Sequence, residues 1–105
     1  AAAFRKVISV DPKKDRAHNN LGTALSALGD LDGSIASHMQ AVSLNPENAC
    51  AHSNLGDALR NKGDLDGAIA SLKQALFLDP KSEMARNNLG IALRARMKGA
   101  GGGGK

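Results

Sequence analysis

Pro12, Pro46 and Pro80 stand 34 residues apart, and nearly everything between the first and the last of them recurs with the same period. In that register Ala17-His18-Asn19-Asn20-Leu21-Gly22 falls over Ala51-His52-Ser53-Asn54-Leu55-Gly56, and again over Ala85-Arg86-Asn87-Asn88-Leu89-Gly90. Gly29-Asp30-Leu31-Asp32-Gly33 likewise falls over Gly63-Asp64-Leu65-Asp66-Gly67. A repeat of this length is one supersecondary unit that cannot bury its own apolar side, so it stacks on copies of itself and builds an elongated surface. Surfaces of that kind bind other molecules and rarely do chemistry.

Each period reads as two helices and two turns. From Asp15 to about Leu28 the residues Ala17, Leu21, Ala24, Leu25 and Leu28 recur at steps of three and four, the spacing of an amphipathic helix. Gly29 stops it, and Asp30 can cap the next helix, with Asp32 in the first turn where the helix dipole favours a carboxylate. Leu31, Ile35, Met39, Val42 and Leu44 are expected to carry the apolar side of that second helix. Asn45-Pro46 ends it, because a residue before proline avoids helical dihedrals. The second period repeats the plan, with a helix from about Asn48 to Lys62, a break at Gly63 and a partner from Leu65 to Leu78. Ser82 is placed to cap a last helix that reaches about Met97.

Composition removes several classes of function. The net charge of +4 is mild and spread along the 105 residues, unlike the dense basic stripe of a nucleic-acid binder. Phe4 and Phe77 are the only aromatic residues, so the stacking platforms of single-strand binders are missing, and no nucleic-acid partner is expected. Cys50 is the sole cysteine, which leaves no internal disulfide and no cysteine zinc site; a small half-buried side chain is the expected role. No apolar run approaches a membrane span, the Ala-rich start lacks the pattern of a signal peptide, and Asn-X-Ser/Thr is absent, so the expected setting is intracellular.

The residues of the repeat resemble the tetratricopeptide pattern: an apolar residue then glycine in the first helix, a small residue and glycine at the turn, alanines in the second helix and a closing proline. These stand here as Leu21-Gly22, Ala24-Leu25, Gly29-Asp30, Ser34-Ile35, Ala41 and Pro46, then as Leu55-Gly56, Ala58-Leu59, Gly63-Asp64, Ala68-Ile69, Ala75 and Pro80. Among such repeats the Ala-His-Asn-Asn-Leu-Gly spelling looks most like the superhelical arm of O-linked N-acetylglucosamine transferases and related bacterial repeat proteins, without their catalytic domain. The resemblance covers about residues 4 to 97 and implies an all-α, right-handed superhelix of helix-turn-helix units. The small residues Gly22, Gly56, Ala41 and Ala75 have a physical role in it, since they let helices approach to about 8–10 Å between axes. Where the family often carries aromatic residues this chain has His18, His52 and Arg86, and later Leu25, Leu59 and Leu93, so its packing is mainly aliphatic.

The expected division is residues 1–14 as the end of a preceding repeat, 15–48 and 49–82 as full repeats, 83–98 as the first helix of a further repeat, and 99–105 as a glycine-rich flexible tail. Both ends look cut, as in a fragment of a longer array or a subunit whose ends are covered by partners.

The resemblance puts the first helices on the concave side, where the family's ligand-facing positions map onto Asn20, Asn54 and Asn88, onto Asn19, Ser53 and Asn87, and onto Ser26, Arg60 and Arg94. An asparagine amide both donates and accepts, so it can bracket a backbone peptide group without reading the side chain attached to it. The expected function is a non-catalytic scaffold gripping an extended peptide, with Arg60 and Arg94 favouring acidic ligands. The alternative is a structural subunit of a larger complex, held through Phe77 on the convex side and through Leu89, Leu93 and Met97 at an uncapped end. Chaperone-tail capture is not expected: the carboxylate clamp of lysine, two asparagines, lysine and arginine maps onto Asn19, Thr23, Asn54, Met84 and Asn88, and only Asn54 agrees. His18 and His52 lie about 10 Å apart by helix spacing, too far to share one zinc ion, and read as packing residues; His38 stands alone. Neither a metal nor another cofactor, nor an enzymatic activity, is expected.

Overall fold

The computed structural model describes residues 12–103. Among the described residues five helices follow one another: α1 (Pro12–Ala27), α2 (Leu31–Leu44), α3 (Ala49–Lys62), α4 (Leu65–Leu78) and α5 (Glu83–Gly103). Phe4 and the fragment of a preceding repeat expected over residues 1–10 lie outside the described residues. Contacts run between neighbours in the chain, and the first helices of successive hairpins also touch, α1 with α3 and α3 with α5. That is the quasi-one-dimensional arrangement of stacked repeats.

The turns follow from their end residues. Gly63 has φ of 101°, in the left-handed region that costs a residue with a Cβ but not glycine. Its N–H bonds to the Arg60 carbonyl and the next N–H, of Asp64, reaches back to Leu59 at 2.8 Å, closing α3 with a Schellman motif. Gly29 and Asp30 close α1 in the same way on Ser26 and Leu25. The aspartates then open the second helices, their carboxylates accepting from the N–H of Gly33 and of Gly67. Asn48 and Ser82 cap the helices that follow, on Ala51 and Ala85.

The hairpins close where the first helix has no side chain. A Cβ added at Gly22 would lie 2.7 Å from the His38 ring, and one added at Gly56 would lie 2.6 Å from Cγ of Leu72. The core follows from this contact: Leu72, Ala68, Ile69 and Ala75 of α4 pack with Ala85 and Ala92 of α5, with Leu59 and Leu89 against them. Burying a leucine such as Leu72 completely contributes about 1.5–3 kcal/mol relative to exposure.

Several expectations are corrected. The buried face of α2 is Ser34, Ser37, His38 and Ala41, while Met39, expected on the apolar side, is 54% exposed. The face is dictated by what opposes Gly22 across the hairpin, not by the most apolar stripe. Leu28 lies in the turn beyond α1, exposed. Leu21 is 49% exposed although its equivalent Leu55 is buried, because no described hairpin precedes α1. The helix expected from Asp15 begins three residues earlier at Pro12, a residue tolerated in a first turn because the N–H it lacks has no partner there. The last helix runs through Gly103, past the Met97 expected as its end. Each glycine costs about 1 kcal/mol there, but adding residues to an existing helix avoids the cost of nucleation.

Filling the hairpin contact should be expensive. Gly56→Val is expected to lower unfolding free energy by about 1–3 kcal/mol in urea titrations. The same change at Gly90, which has nothing within 4 Å of an added Cβ, should cost clearly less.

Candidate functional site

The positions expected to face a ligand divide into two groups. Asn20, Asn87 and Arg94 are exposed and Asn54 and Asn88 are half-buried, all on the first helices of their units. Asn19 and Ser53 belong elsewhere, at 8% and 1% exposure, and are not part of an open wall. Helical geometry separates them: residues one step before Asn20 and Asn54 are turned about 100° toward the partner helix.

Asn19 is instead the centre of a buried polar junction. Its Oδ1 lies 2.7 Å from Nδ1 of His38 on α2 and accepts from Nδ2 of Asn54 on α3 at 3.1 Å, so one amide joins three helices. The Nδ2 groups of Asn19 and Asn54 both point at Sγ of Cys50, 3.8 Å away. Because Asn19 Oδ1 only accepts, the His38 proton sits on Nδ1 and Nε2 keeps its lone pair. Burial pushes the His38 imidazole below its ordinary pKa, against the opposing pull of the nearby Asp57 carboxylate. His38 therefore does not stand alone, as the sequence reading had it. Cys50, expected half-buried, is exposed. His18 and His52 are half-buried, and His52 Nε2 reaches the Pro46 carbonyl at 2.9 Å.

Beside this junction lies a cavity of about 250 Å³ between the two hairpins. Thr23 and Ser26 of α1, Ser34 and His38 of α2, and Asn54 and Asp57 of α3 line it. Arg60, expected as a free cation on the wall, is tied to Asp57 one turn away on its own helix. Asp15 accepts from Nδ2 of Asn48 at 2.7 Å and locks the start of α1 to the loop between hairpins. Exposed ion pairs join successive units at repeat-related positions, Lys62 with Asp32 and Arg96 with Asp66. Such pairs in water add little stability and mainly set register. Of the residues expected at an assembly contact, Phe77 is 79% exposed and Leu93 and Met97 are also exposed, whereas Leu89 packs on the core. No three His, Cys, Asp or Glu residues come together as metal ligands among the described residues, and no described helix is long and apolar enough to cross a membrane.

Sequence reasoning missed the cavity, although its signal is in the repeat. Ser34, His38 and Asp57 fall in register with Ala68, Leu72 and Ile91, so polar residues stand where the next unit is apolar.

Stacked helical hairpins with small residues at each crossing define an α-solenoid repeat protein. The TPR repeat family model matches residues 22–63 and 56–95, most of the chain, and the protein belongs to the tetratricopeptide repeat family. No curated protein sequence matches it. Among solved structures it is similar to the first TPR of Spaghetti (RPAP3) bound to the HSP90 peptide SRMEEVD, with a TM-score of 0.77 and 25% identity over 83% of this chain and 69% of that one.

The buried imidazole makes stability depend on pH. Unfolding returns His38 to its ordinary value of 6.5, so below that pH the unfolded chain binds more protons than the native one until the lower folded value is passed. Stability is full above pH 6.5 and falls as acid carries the pH through the folded value, by at most about 1.4 kcal/mol per pH unit. Urea titrations from pH 7.5 to 5 should show that loss, and His38→Leu, which copies Leu72, should remove its share.

Proposed function

We propose that the protein is a non-catalytic interaction scaffold that holds an extended peptide along the side lined by α1, α3 and α5. The observation that carries this reading is the register of Asn20, Asn54 and Asn88: all three retain exposure at repeat-equivalent positions on the three helices that touch one another in series, with Asn54 offering its carbonyl oxygen because its Nδ2 is engaged by Asn19 and Cys50. The second helices α2 and α4 lack a comparable contact, which supports the first-helix side as the inner one. The likeness to a TPR that carries a bound peptide supports a peptide as the partner.

Each amide rung adds about 0.5–1.5 kcal/mol net, so affinity from the ladder alone is weak and tolerant of sequence. Rungs about 10 Å apart meet every third residue of a chain rising about 3.3 Å per residue. The ligand is not the chaperone tail of the similar structure. Of the clamp positions only Asn54 matches, and Asn19 is buried and already bonded to His38 and Asn54.

A structural role in a larger complex is the second reading, favoured by Phe77 and Met97, which are 79% and 69% exposed. One set of variants separates the two. Peptides selected from a display library against the intact chain should bind, and Asn20→Ala with Asn88→Ala should weaken them about 5- to 150-fold while helicity by circular dichroism is unchanged. Binding indifferent to those changes but lost on Phe77→Asp or Leu93→Asp would favour the structural role instead.

A further inference from the structure

We propose that the cavity between the first two hairpins takes one cationic, hydrogen-bond-donating side chain, a lysine ammonium. This deepens the reading of the first-helix side as a peptide site and names the residue that anchors the peptide.

The repeat supplies an internal control. Ser34, His38 and Asp57 line this cavity, and one repeat later the same positions hold Ala68, Leu72 and Ile91. Ala68 and Leu72 are fully buried and close the second hairpin without any polar group. The fold therefore does not require polar side chains at these places. Carrying them has a cost, since Ser34 is 0% exposed and its Oγ has no hydrogen-bond partner. A hydroxyl left without a partner behind the cavity wall is a cost that the apolar second hairpin does not carry.

Donor bookkeeping gives the chemistry of that atom. The Asn54 Nδ2 group already donates to Asn19 and Cys50, which leaves its carbonyl oxygen. The Thr23 hydroxyl donates to the Asn19 carbonyl at 3.2 Å, which leaves its lone pairs. His38 uses its Nδ1 proton on Asn19 and keeps an unprotonated Nε2. Asp57 only accepts, and Arg60 engages its Oδ1, leaving Oδ2 without a partner among the described residues. The serine hydroxyls can rotate to accept. Besides the apolar Ala27 and Ala58 and the serine hydroxyls, the polar groups left free on the wall are acceptors, and their complement is a group that donates several hydrogen bonds and accepts none. An ammonium, with three donors and no lone pair, is that group. At about 250 Å³ the cavity is smaller than the ~300–1,000 Å³ of drug-sized sites and suits one side chain. A carboxylate would face the Asp57 carboxylate, the Asn54 carbonyl oxygen and the His38 Nε2 lone pair.

The test uses the intact chain and small probes, so it does not depend on the asparagine ladder. N-acetyl-lysine N-methylamide is titrated into labelled protein by NMR, beside the norleucine and glutamate analogues. Saturable shifts are expected at Ser34, His38, Asn54 and Asp57 with the lysine probe and not with the other two. Asp57→Ile should weaken the lysine response about tenfold or more. Ser34→Ala with His38→Leu and Asp57→Ile, which rewrites the cavity as its neighbour, should abolish it; if that variant does not fold, Asp57→Asn serves in its place. No saturable lysine response, or an equal one from norleucine or glutamate, overturns the assignment. Peptides that bind the chain independently of Asp57 and Ser34 would likewise overturn it, yet leave the ladder standing, whereas a lysine response without any peptide binding would remove the ladder and keep the cavity.

Discussion

The hairpin of this repeat exists because a backbone, not a side chain, meets the partner helix at Gly22 and Gly56. The His38 ring and the Leu72 isobutyl group occupy the space that a Cβ would take, 2.6–2.7 Å from its ideal position. From that contact follow the depth at which the second helix sits, the face it buries, and the side on which successive first helices touch. Gly90 shows the dependence from the other direction: no helix among the described residues packs over it, and nothing described stands within 4 Å of an added Cβ.

One geometry thus carries two chemistries. Around Gly56 the opposing residues are Leu72 and Ala68, and the interior is a dry aliphatic cluster continued by Ala85 and Ala92. Around Gly22 the opposing residue is His38, and the interior is a hydrogen-bonded junction through Asn19 to Asn54. An apolar interior is the more forgiving of the two, because a polar junction must satisfy each buried group or lose the desolvation energy of whichever is left over. The first hairpin therefore holds the buried imidazole whose protonation destabilises it, and it is also the one with an open polar cavity at its edge.

Much of this was legible in the sequence. The period of 34 residues, the Leu-Gly pair, the Gly-Asp turns and the caps at Asp30, Asn48, Asp64 and Ser82 lead to helices within a few residues of those observed. Local chemistry decides those features: a left-handed glycine, a carboxylate over an exposed N–H, a proline without one. The site was legible only in part. Asn54 and Asn88 are half-buried on their first helices, but Asn19 and Ser53, one step earlier, are turned into the packing, and the junction and the cavity went unread.

The amino-acid sequence by itself determined that this chain is a stack of helical hairpins of the tetratricopeptide kind, since a repeated amphipathic pattern with glycine at each crossing has few other ways to bury its apolar side. Only the tertiary structure decided which polar residues are wall and which are interior. That choice depends on rotations of about 100° per residue around helices whose mutual depth is set by contacts far apart in the chain. His38 and Asn19 are 19 residues apart and Asn19 and Asn54 are 35 apart, and no local pattern announces that they meet.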